Sequence, residues 1–167
     1  GAITELAEYV RNLALSSVNA TSSENAPDTG KVLVVLKKGS DPMQPPVFLF
    51  PTVAGTTSCY NEMLSQMDAV RPMVGVLDPY LVGDRHTRSL DFESWMEIYA
   101  NAVQGRQPHG PYTLMSYSQG STWLWGTAEH LIRRGEVVDK CILLDPFFPG
   151  WNGCRDGFEW MVTWTNA

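Results

Sequence analysis

No apolar run in this 167-residue chain approaches the ~18 residues needed to cross a bilayer. No membrane partner is therefore expected. Basic runs are missing too. Twelve Lys and Arg stand against eighteen Asp and Glu, a formal charge of −6, which argues against nucleic acid as a partner. The first ten residues carry acids and lack the apolar core of a secretory signal, so a cytoplasmic location is expected. Cysteine is scarce, with only Cys59, Cys141 and Cys154. An odd count without paired spacing fits reduced, buried thiols rather than a disulfide framework. No Cys/His cluster has metal-ligand spacing, so neither a metal site nor a bound cofactor is expected. Asn19-Ala20-Thr21 matches a glycosylation sequon and reads as incidental without a secretory signal.

What is present is an ordinary globular composition, 44% apolar and 18% charged, with fourteen glycines and eleven prolines for tight connections. The length fits one domain. Residues 1–15 place Leu6, Val10 and Leu13 at helical spacing. Residues 16–30 are rich in Ser, Thr, Asn, Asp and Pro and read as a linker. From residue 31 to residue 150 a βα rhythm runs. Strands are expected at 32–36, 47–50, 73–77, 112–115 and 141–144. Helices are expected at 60–70, around Phe92, Trp95, Met96, Tyr99 and Val103, and at 120–134, the last closed by Gly135. Continuously apolar strands joined through helices imply a mostly parallel sheet, buried on both faces, with helices on each. The expected class is an open α/β sheet, in which ligands bind at the carboxyl ends of the strands.

That rule singles out Ser118. It follows an apolar strand and directly precedes a helix in Met115-Ser116-Tyr117-Ser118-Gln119-Gly120. A turn serine or a helix N-cap would also suit that place. An acyl-transfer nucleophile needs more: a hydroxyl projecting from a sharp strand-to-helix turn flanked by small residues. Gly120 meets that need, and Ser116 stands where a second glycine is usual. The backbone N–H of Gln119 is then the first oxyanion donor. Residues 50–56 leave the carboxyl end of an earlier strand, and Val53 is the expected second donor, although an ordinary connecting turn would look the same. Asp145 ends the last strand, where a carboxylate can orient an imidazole, or simply serve a turn. The imidazole is the difficulty, because no histidine follows Asp145. His130 lies twelve residues along the helix from Ser118, roughly 18 Å away. His109 falls at the opposite edge of the sheet. His86 leaves a strand on the correct edge and is the one reachable substitute base, in a place that a solvated loop histidine suits better.

These stretches resemble the type I thioesterase domains, of the α/β-hydrolase class, that end polyketide and non-ribosomal peptide synthases. The matching segments are PVFLFPTVAGTTSCY (46–60), QPHGPYTLMSYSQG (107–120) and GEVVDKCILLDPFFPG (135–150). The resemblance implies a thioesterase that takes an acyl chain from the phosphopantetheine arm of an upstream acyl or peptidyl carrier domain. A Ser118 acyl-enzyme would be released by hydrolysis or cyclisation. Residues 2–15 look like the last helix of such a carrier. Residues 151–167 look like the start of a lid or a C-terminal extension, with Phe158, Met161 and Trp164 suited either to cover a substrate channel or to pack on the core. The resemblance also implies a chain truncated before its histidine and a sheet incomplete at its C-terminal end. A docking module that kept the fold but lost catalysis is one alternative, and a free-standing editing thioesterase or esterase is another.

Overall fold

The computed structural model describes residues 32–82 and 90–147. The carrier-like helix at 1–15, the linker at 16–30, His86, Cys154 and the lid segment at 151–167 lie outside the described residues.

Five apolar segments form one sheet: β1 (Leu33–Lys37), β2 (Val47–Leu49), β3 (Met73–Val76), β4 (Tyr112–Tyr117) and β5 (Val138–Leu144). Their spatial order is β1-β3-β2-β4-β5. β1 runs antiparallel to β3, and every other pairing is parallel. The chain leaves β2 toward β3 and leaves β4 toward β5, in opposite directions. The sheet order therefore switches between β2 and β4, and in such sheets ligands bind outside the carboxyl ends of the strands at that switch.

Side chains alternate across the sheet. Phe48, Val74, Val76 and Leu114 point to one face, under helices α2 (Phe92–Arg106) and α3 (Gly120–Arg133). Val47, Leu49, Met73 and Met115 point to the other, against Tyr60 and Leu64. That second face carries a 3₁₀ turn (Ser58–Tyr60) and helix α1 (Asn61–Gln66). The mostly parallel α/β sheet with helices on both faces is therefore as expected. Helix α2 starts where Asp91 accepts a 2.8 Å bond from Ser94 N–H, satisfying one free amide of the first turn. It buries Met96, Tyr99, Ala100 and Val103 at helical spacing. Helix α3 ends at Gly135, whose N–H donates to Ile132 C=O while Glu136 N–H donates to Leu131 C=O.

Four expectations change. The helix predicted over 60–70 stops at Gln66, and Met67 turns extended. Lys37 Nζ, reaching from β1, takes the carbonyls of Leu64 and Met67 and so ends the helix with a cation. β5 is longer than predicted and only half covered. It pairs with β4 alone among the described residues, so Ile142 and Leu144 are exposed while Cys141 and Leu143 pack on the core. Phe92 does not cover the sheet; it is exposed and stacks on Trp123 of α3, ring centres 5.9 Å apart. Cys59 is exposed in the 3₁₀ turn rather than buried. No helix among the described residues is long and apolar enough to cross a membrane.

Candidate active site

Ser118 closes β4 in a left-handed conformation, φ 52°, where a side chain costs about 1–3 kcal/mol. Its backbone holds that turn. Ser118 N–H donates to Leu144 C=O at 3.0 Å. Its carbonyl accepts from Ser121 N–H, from Phe147 N–H (both 3.1 Å) and from Ser121 Oγ (2.8 Å). The hydroxyl of Ser118 has no partner among the described residues. It does not cap the helix: the cap position falls on Gln119, and no side chain fills it. Ser121 and Thr122 N–H are taken by the Ser118 and Gln119 carbonyls, whereas the Gln119 and Gly120 amides have no acceptor among the described residues, at a helix end that favours negative charge.

Gly120 is required by close approach. A Cβ there would lie 2.8 Å from Pro51 O and 3.4 Å from Ser116 Cβ. The contact with Pro51 sets the serine turn directly against the loop that leaves β2. The contact with Ser116 explains why that residue is small. Ser116 is fully buried, and its hydroxyl reaches Ser121 Oγ at 3.4 Å, so serine fits where a second glycine was expected.

The β2 loop is a tight turn. Gly55 N–H donates to Thr52 C=O at 2.9 Å, leaving Val53 and Ala54 as its central residues. Neither Val53 N–H nor Gln119 N–H has an acceptor among the described residues. Val53 itself is exposed. The turn is fastened at its far side to the end of β3, where Asp78 N–H donates to Gly55 C=O at 3.0 Å. Gly55 has φ 74°, and a Cβ there would meet Leu81 and Asp78 side chains below 3 Å. Burial pushes the Asp78 carboxyl up, against the opposing pull of the Tyr80 and Leu81 amides. Tyr60, buried under the same loop, donates its hydroxyl to Phe50 C=O at 2.8 Å. Sequence reasoning passed over Tyr60. Its signal was a lone aromatic hydroxyl ten residues beyond the strand end, in a segment predicted only as helix.

Asp145 stands at the end of β5, φ 43°, exposed, with a carboxylate that no described residue binds. Its loop is tied to the serine turn by Phe147 N–H to Ser118 C=O and by Thr122 Oγ1 to Phe147 C=O at 3.2 Å. Two histidines are elsewhere. His109 pairs with Glu136 at 3.2 Å, at the amino ends of β4 and β5. His130 packs between α2 and α3, 3.3 Å from Glu93. His86 lies outside the described residues. No group of three or more His, Cys, Asp or Glu suited to a metal occurs among the described residues.

A family model described as "Thioesterase domain" matches residues 45–156. The chain is 30% identical over 139 residues to the non-reducing polyketide synthase crz7 of Cladonia metacorallifera, covering 83% of this chain and 6% of that protein. It is 35% identical over 99 residues to the bikaverin polyketide synthase bik1 of Gibberella fujikuroi, covering 59% of this chain and 5% of that protein. This chain thus spans only about one-twentieth of the curated relatives it matches. Among solved structures, a four-domain nonribosomal peptide synthetase aligns with TM-score 0.63 at 24% identity, over 71% of this chain and 9% of that one. The thioesterase domain that cyclises surfactin aligns with TM-score 0.53 at 21% identity, over 71% of this chain and 46% of that one. Both likenesses concern the fold.

Proposed function

Because the chain belongs to the thioesterase domain family, we propose that it releases an acyl chain from a carrier-bound thioester through an ester on Ser118. The single observation that carries this reading is the strained Ser118 turn, packed through Gly120 onto the β2 loop. Strain of this kind persists where function needs it.

In the proposed step, Ser118 Oγ attacks the thioester carbonyl and loses its proton to an imidazole oriented by Asp145. The C–S bond breaks, and the same proton leaves on the departing sulfur. The amides of Gln119 and Val53 hold the oxyanion. Water or a nucleophile within the acyl chain then attacks the ester, so the product is an acid or a ring. The sulfur belongs to the phosphopantetheine arm of an upstream carrier domain, and the polyketide synthases among the relatives favour a polyketide chain. His86 is the one base proposed from the sequence.

The test is a fluorophosphonate serine probe applied to the full-length polypeptide. Labelling should map to Ser118 and vanish in Ser118→Ala. Label that persists in that variant would sink the nucleophile assignment.

A further inference from the structure

Between β2 and β4 the hydrogen-bond ladder stops one rung early. Phe50 N–H donates to Met115 C=O at 2.8 Å. In a parallel pair, the next bond would join Tyr117 N–H to Phe50 C=O. That bond is not made. Phe50 C=O accepts the Tyr60 hydroxyl instead, at 2.8 Å, and the Tyr117 amide is near enough to pull that phenol's pKa down. Beyond this point β2 turns away at Pro51, while β4 continues to Tyr117 paired only with β5. The missing rung lies at the switch in strand order.

We propose that Tyr60 is a positioning residue whose hydroxyl replaces this rung and sets the separation between the β2 loop and the Ser118 turn. A direct bond would draw the two strand ends together. A phenol oxygen on the Phe50 carbonyl takes the acceptor that such a bond would need and keeps the two ends apart. The two ends carry the two oxyanion donors, Val53 three residues beyond Phe50 and Gln119 two beyond Tyr117. The hydroxyl is held firmly, because Tyr60 is buried and its N–H is bonded to Thr57 C=O at 3.1 Å. Burial pushes this phenol's pKa upward, the neighbouring Cys59 adds to the rise, and the Tyr117 amide opposes it; the group acts as a neutral O–H. An error of a fraction of an ångström in such a donor pair is enough to slow acyl transfer.

This inference rests on the acyl-enzyme reading, and its test keeps the two apart. In the full-length polypeptide, Tyr60→Phe should lower kcat on an N-acetylcysteamine thioester, and the rate of fluorophosphonate labelling, by about ten- to a hundredfold. KM should stay within about twofold, since ground-state binding is untouched. Leu64→Ala weakens the same apolar cluster without touching the rung. At a temperature where it is folded, it should keep kcat within about threefold. Wild-type kcat in Tyr60→Phe, or an equal loss in Leu64→Ala, would overturn the proposal. Should Tyr60→Phe not fold, 4-aminophenylalanine at residue 60 restores a donor to Phe50 C=O. It should keep kcat within about tenfold of wild type, and a larger loss in the folded variant counts against the idea. If Ser118→Ala still takes the label, the acyl-enzyme reading fails. If it does not, and Tyr60→Phe labels at the wild-type rate, only the role of Tyr60 fails.

Discussion

At the amino ends of the strands, polar groups are paired. Arg71 donates to Pro45 C=O at 2.6 Å, to Thr113 Oγ1 at 3.0 Å and to Pro46 C=O at 3.3 Å, lacing β2, β3 and β4 together where they begin. Glu136 accepts Gly110 N–H at 2.8 Å and faces His109 at 3.2 Å, and the Gly110 amide above all holds its carboxylate below the usual range. At the carboxyl ends the pattern reverses. Ser118 and Asp145 both have positive φ, and neither side chain is bound by a described residue. The amides of Val53 and Gln119 have no acceptor among the described residues either. One end of the sheet is satisfied and stabilises the fold. The other stores strain and unspent polar groups, as a site that must receive a substrate does.

Four substitutions would break or sharpen that contrast, beyond Tyr60→Phe. Ser118→Ala has the largest expected effect, a loss of about 10⁴-fold or more in kcat with an unchanged melting temperature, read by turnover and calorimetry. Asp145→Asn should follow, costing about 10³- to 10⁴-fold in kcat while the serine still takes a probe slowly. A near-normal rate in that variant would return Asp145 to the role of a turn residue. Gly120→Ala pushes a methyl against Pro51 O, so it should cost about tenfold in rate and about 1–3 kcal/mol in stability. The smallest effect on rate belongs to the other end. Arg71→Ala should destabilise by about 1–3 kcal/mol in urea unfolding, because it strands two carbonyls and a hydroxyl, yet leave kcat within about twofold. A rate loss there comparable to that of Gly120→Ala would erase the distinction between the ends.

Much of this was legible in the residues. Apolar runs of strand length, separated by helical spacing, specify a parallel α/β sheet. Ser118 and Asp145 stand at carboxyl ends because each directly follows such a run. Helix length at 60–70 was not legible, since the cation that ends α1 comes from Lys37, about thirty residues earlier. The exposure of β5 was hidden as well. Apolar sequence reports what a strand could bury, whereas actual burial depends on which neighbours pair with it.

Local chemistry alone therefore determined the strands, the turn that presents Ser118 and the placement of Asp145, because these depend on the preferences of adjacent residues. Tertiary structure decided the rest. It set the switch in strand order, the contact of Gly120 with the β2 loop and the insertion of Tyr60 into the ladder. Each of these joins groups far apart in the chain, and such distances are fixed by packing rather than by any local pattern.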